Sequence, residues 1–129
     1  MPAVKSNRPI NLSMGQVLAV NSKSPIAMAS ILHRVSGVVL FLLMPVMLCV
    51  LQTSLSSEQG FNTVFDNVAL RFVAWIFVAG TAYHFVMGVK HLLADMGMNE
   101  EFNSGKTAAI VSFVIAVILI VASLIWVMF

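Results

Sequence analysis

The final stretch of the chain, TAAIVSFVIAVILIVASLIWVMF from Thr107 to Phe129, decides the fold class. It carries no ionisable side chain and supplies the ~20 apolar residues a helix needs to cross a bilayer. Two runs upstream share that character. Phe72 to Val89 lies between Arg71 and Lys90, with Tyr83 and His84 as its titratable interruptions, and Val35 to Ser57 has none. Between the runs lie TSLSSEQGFNTVFDN at Thr53 to Asn67 and MGMNEEFNSGK at Met96 to Lys106. Both hold the Gly, Ser and Asn residues that end helices. In lipid every backbone polar group must be satisfied within the protein, and strands this few cannot close a barrel. The expectation is an all-α membrane protein. Three transmembrane helices fall near 30–52, 67–95 and 106–128, after an arm over 1–29, and the whole 1–129 forms one domain.

Composition points the same way. Of 129 residues, 60% are hydrophobic and 9% charged, and the mean hydropathy is +0.98. A soluble domain carries roughly a quarter of its residues as charges, so a water-facing enzyme is excluded. The formal charge of +2 and pI near 9.0 would suit nucleic acid. The basic residues are scattered and lack aromatic interleaving, so no nucleic acid is expected as a partner. Cys49, the one cysteine, sits in an apolar run and reads as a small buried hydrophobe.

The basic residues encode orientation instead. Lys5, Arg8, Lys23 and Arg34 precede or open the first helix, and Lys90 and Lys106 flank the second connector. Only Arg71 lies at the first connector, beside Glu58 and Asp66. The positive-inside rule then sets the N-terminus in the cytoplasm and the C-terminus, with Trp126, on the outer side. The first 29 residues have no apolar signal-peptide core, and Pro2, Pro9 and Pro25 interrupt helical continuation. They read as a cytoplasmic arm with a short surface helix around Asn11 to Val20. Pro45 predicts a kink in the first span.

Ionisable groups inside a span are expensive and mark function. In AYHFVMGVKHLLAD, His84, Gly88, His91 and Asp95 recur at spacings of four, three and four, on one helix face. His84 lies about 16 Å inside the cytoplasmic end at ~1.5 Å per residue, near mid-membrane. A neutral imidazole at that depth suits haem iron, with Gly88 leaving room for a flat macrocycle. The same spacing also suits a histidine bonded to a carbonyl or hydroxyl on a neighbouring helix. In SILHRVSG, Ser30, His33 and Arg34 share one face of the first turns. A hydroxyl and a guanidinium beside an apolar cleft can polarise quinone carbonyls. They equally suit a helix N-cap and a snorkelling arginine. Ser36 reads as bonding within its helix or across a helix interface.

Taken together, RPINL at Arg8 to Leu12, SILHRVSGV at Ser30 to Val38, TSLSS at Thr53 to Ser57 and AYHFVMGVKHLLADMG at Ala82 to Gly97 resemble a known family over nearly the whole chain. That family is the cytochrome b556 membrane-anchor subunits of bacterial succinate dehydrogenase, respiratory complex II. The resemblance implies three transmembrane helices paired with a second membrane-anchor subunit in a haem-binding helical bundle. One haem b is shared between the two anchors, which hold the iron–sulfur and flavoprotein subunits against the bacterial inner membrane. Ubiquinone is the electron acceptor.

By motif position the resemblance makes His84 the axial haem ligand from this chain, the other coming from the partner anchor. Ser30 and Arg34 then line the quinone site, while His33, Arg34 and His91 lie towards the haem propionates. Asp95, with Arg34 and His33, is a candidate for proton uptake. Succinate oxidation asks nothing of this chain, which is catalytic only as part of its complex. Lys90 departs from the arginine that relatives often carry there. Rival readings are an anchor of a quinol:fumarate reductase, a haem-free small transporter or assembly subunit, and a purely structural anchor.

Overall fold

A computed structural model describes residues 11–129. Lys5 and Arg8, half of the positive residues expected ahead of the second span, lie outside the described residues, as do Pro2, Pro9 and most of the RPINL motif. The described chain is helical throughout: α1 (Met14–Asn21), α2 (Pro25–Ser56), α3 (Glu58–Asp66), α4 (Val68–Asp95) and α5 (Phe102–Met128). α2, α4 and α5 are long and apolar enough to cross a membrane. At ~1.5 Å per residue each runs about 40 Å or more, past the ~30 Å hydrocarbon core, so their ends reach the interfaces.

Local chemistry sets the boundaries. α1 opens on a capping box: the Gln16 amide donates to Ser13 Oγ (3.3 Å), and the Ser13 amide donates to Gln16 Oε1 (3.0 Å). α2 starts at Pro25 rather than near residue 30. Ser24 caps it by accepting the Ala27 amide, and proline is at home in a first helical turn, where its missing N–H costs nothing. Pro25 therefore begins a helix where the sequence suggested an interruption. Ser30 lies in the second turn of α2, so its reading as an N-cap is overturned.

α2 continues through Pro45 without a break and runs on to Ser56. The first connector is mostly helix, not coil: Ser57 accepts the Gly60 amide (2.9 Å) and opens α3. Asn67 Oδ1 accepts the Ala69 and Leu70 amides (2.9 and 3.2 Å) to open α4. α4 ends in a Schellman motif. Gly97, at φ +83°, donates to the Ala94 carbonyl, and Met98 donates to the Leu93 carbonyl.

The packing inverts that of a soluble protein. Large apolar side chains such as Phe41, Ile118 and Trp126 are exposed, and the buried positions are mostly small. On α5, Gly105, Ala109, Ser112 and Ala116 are buried at spacings of four, three and four. This small-residue stripe lets α4 approach closely, the usual basis of helix association where lipid removes the hydrophobic drive. Ala29, Met87 and Ala109, one from each span, form the core, with Ile26, Tyr83 and Phe113 against it. Arg71 ties α4 to the end of α5, donating from Nε to the Val127 carbonyl (3.1 Å) and from Nη2 to the Met128 carbonyl. Cys49 is exposed on the apolar surface of α2 rather than buried.

Candidate functional site

The polar side chains within the membrane gather where α2 crosses α4. His84, Gly88, His91 and Asp95 line a single groove of about 400 Å³ with His33, Phe85, Val89 and Leu92. The spacing of four, three and four thus corresponds to one wall of one cavity. His33 is the addition from α2. Its ring stacks on His84, with centroids 4.1 Å apart and planes 21° apart, and lies 5.3 Å from His91. Sequence reading set His33 at the mouth of its helix. Because α2 begins at Pro25, His33 lies about 12 Å inside it instead, level with His84.

Gly37 makes this stack possible, whereas Gly88 lies at ordinary contact distance from it. A β-carbon at Gly37 would come within 3.1 Å of His84 Cε1, so the bare backbone of α2 admits the imidazole. A β-carbon at Gly88 would sit 3.5 Å from His33 Nε2. That nitrogen is buried and has no hydrogen-bond partner among the described residues. A buried polar atom left unpaired costs roughly 1–3 kcal/mol, so a donor or acceptor reaching it would be stabilising.

The His84 ring is held through one nitrogen. Nδ1 lies 3.0 Å from Ser36 Oγ and 3.2 Å from the His33 carbonyl oxygen. The Ser36 hydroxyl proton is already directed at that same carbonyl (2.7 Å). A carbonyl only accepts, and the hydroxyl has one proton, so Nδ1 is the donor to both. Nε2 then carries the free lone pair. The two readings that spacing left open for His84 therefore concern different atoms: Nδ1 bonds a neighbouring helix, and Nε2 is available to a ligand.

The quinone candidates separate. Ser30 lines a second cavity, of about 450 Å³, with Ile26, Lys90, His91, Glu100, Glu101 and Gly105 among its walls. His91 borders both cavities. Arg34, one turn beyond Ser30, is exposed at the surface, as is Asp95. Tyr83 turns away from His84 into the core, where its hydroxyl reaches the Ala29 carbonyl (3.5 Å).

Among the described residues no group of three or more His, Cys, Asp or Glu is arranged to hold a bare metal ion. One histidine with a free nitrogen suits a metal whose remaining positions are filled by a macrocycle and another chain. The bonding of Ser36 within α2 and across to α4 matches its sequence reading, while its partner His84 and the role of Gly37 were not legible. The signal of Ser36 and Gly37, a small pair three and four residues after His33, acquires meaning only once α4 is laid against α2.

A family model described as "Succinate dehydrogenase/Fumarate reductase transmembrane subunit" matches residues 5–123. The "Succinate dehydrogenase cytochrome b556 subunit" of Coxiella burnetii is 32% identical over 128 residues, covering 96% of this chain and 99% of that protein.

Proposed function

Because the chain belongs to the succinate dehydrogenase/fumarate reductase transmembrane-subunit family, we propose that it is the cytochrome b anchor of a succinate:ubiquinone oxidoreductase. It works with a second membrane-anchor subunit, an iron–sulfur subunit and a flavoprotein. The observation that carries this reading is the state of His84: Nδ1 committed as a donor to α2, and a free Nε2 on a ring lining an open groove. Metal-bound histidines are held in this way, the second nitrogen fixed by a carbonyl or hydroxyl. Haem b fits these residues. It would supply one-electron redox chemistry in the membrane, and His84 would hold its iron from this chain.

The surrounding side chains take roles suited to their positions. His33 Nε2 is buried and unpaired among the described residues, so a small movement of its ring would let it hydrogen-bond a propionate oxygen, and His91 borders the same groove. Arg34 offers a permanent cation at the surface nearby. Ser30 offers its hydroxyl to a quinone carbonyl in the second cavity, with Arg34 one turn away to offset negative charge developing there. That cavity opens at the ends of α2, α4 and α5, the natural place for a soluble redox subunit to dock. Asp95, exposed beside the groove, is suited to pass protons inward from water. The start of α2, the end of α4 and the start of α5 carry Lys23, Arg34, Lys90 and Lys106, so this end faces the cytoplasm of a bacterial inner membrane. The opposite end, with Arg71, Glu58, Asp66 and Trp126, faces the periplasm.

The test is a reduced-minus-oxidised absorbance spectrum of the purified complex, wild type beside His84→Ala. A b-type band lost or strongly shifted in the variant is expected. An unchanged band would remove His84 from the iron.

A further inference from the structure

A serine in a membrane helix commonly bonds a carbonyl one turn back, and by itself that bond has no functional meaning. At Ser36 the bond has a consequence. By donating to the His33 carbonyl at 2.7 Å, the hydroxyl fixes its proton and leaves its lone pairs for other donors. Among the described residues the donor that meets them is His84 Nδ1, at 3.0 Å, and the same nitrogen lies 3.2 Å from the same carbonyl. Three groups from two helices form a closed triangle: Ser36 O–H to His33 C=O, and His84 N–H to both. Neither acceptor can take over the imidazole proton. The tautomer is thereby set by α2 rather than by the groove.

We propose that Ser36 is a positioning residue for His84, holding the imidazole in its Nδ1-protonated form with Nε2 presented as a ligand and strengthening that nitrogen as an electron donor. The inference rests on the reading of His84 as the axial haem ligand. Gly37 completes the device, since the residue after the serine must carry no side chain for the ring to reach the triangle. Hydrogen bonds accepted from the distal N–H of a ligating histidine raise its basicity. A more basic ligand favours the oxidised iron, so removing one acceptor raises the midpoint potential. The His33 carbonyl stays behind as a single, longer partner, so ligation persists but the ring is less constrained.

The experiment compares the purified, detergent-solubilised complex as wild type, Ser36→Thr, Ser36→Val and His84→Ala. Thr and Val have the same shape and differ in the hydroxyl alone. The readouts are a potentiometric titration of the b-type band and the low-spin haem g-values by electron paramagnetic resonance. Ser36→Thr should match wild type. Ser36→Val should keep the band but titrate at a more positive potential with altered g-values. Wild-type potential and g-values in Ser36→Val, with the band lost in His84→Ala, would overturn the role of Ser36 and leave ligation standing. An unchanged band in His84→Ala would overturn both. Loss of haem from the Val variant alone supports the proposal; loss from Thr and Val alike overturns it.

Discussion

Gly37→Ala should loosen the haem while leaving the helices intact. The added methyl would lie 3.1 Å from His84 Cε1, against about 3.6 Å for a relaxed carbon contact, so about 0.5 Å must be relieved. α2 cannot yield, because Gly37 lies mid-helix, and the ring is already stacked at 4.1 Å on His33. The imidazole therefore backs away along the line of its own hydrogen bonds. Contacts of 3.0 and 3.2 Å stretch towards ~3.5 Å, where they cease to act as hydrogen bonds. Losing two neutral bonds, less what alanine gains over glycine in helix propensity, leaves a deficit of about 1–2 kcal/mol, or roughly 10-fold in haem retention. The assay is the rate of haem transfer from the complex to an excess of apomyoglobin, with Gly15→Ala as control. Gly15 has no described residue within 4 Å of its β-carbon position, so transfer from that variant should equal wild type. A Gly37→Ala complex that releases haem at the wild-type rate, with an unshifted spectrum, would refute the reasoning.

Three further outcomes follow from the packing and the charges. Ala109 is fully buried between the spans, so Ala109→Leu overpacks the stripe and should cost about 1–3 kcal/mol, read as a lower thermal midpoint of the complex, whereas Ile110→Leu on the exposed face should change little. Arg71→Ala removes two charged donors from the last carbonyls of α5; at a half-buried site open to water this is worth about 2 kcal/mol in total, and hydrogen exchange should rise at Val127 and Met128 without rising in α2. Asp95→Asn should slow quinone reduction several-fold, short of the ~100-fold of an essential acid because water can substitute at an exposed site, with electron delivery to a soluble dye acceptor unchanged. An unaltered quinone rate would remove Asp95 from proton uptake.

The three spans were legible because charge is so expensive in lipid that its absence over long runs reads directly as a helix. The face carrying His84, Gly88, His91 and Asp95 was legible for a similarly local reason: helical periodicity places them together whatever surrounds α4. What could not be read depended on another element. Pro25 suggested interruption because its role as a first-turn residue depends on Ser24 acting as a cap. α3 was hidden in a polar connector whose amphipathic character emerges only over the nine residues of Glu58–Asp66. His33 was assigned to the helix mouth by that same misplaced start, and its stack on His84 depends on the register between α2 and α4. Ser36 could be seen to bond within its helix or across an interface; it does both at once, and that coincidence is tertiary.

That register explains why so polar a cluster persists in so apolar a chain. On the α2 side every obligation of His84 is met by Ser36 and the His33 carbonyl, so the ring is fixed before any ligand arrives. On the other side the obligations are left open among the described residues: His84 Nε2 carries a free lone pair, and His33 Nε2 is buried without a partner. A site fully satisfied from within would need nothing further, and one satisfied nowhere would melt the helix pair. This arrangement rigidifies the ligand at the cost of one orphaned nitrogen, a penalty of roughly 1–3 kcal/mol that binding can relieve. On the proposed reading, haem bound in the groove would stabilise the α2–α4 pair, linking folding of the anchor to its loading.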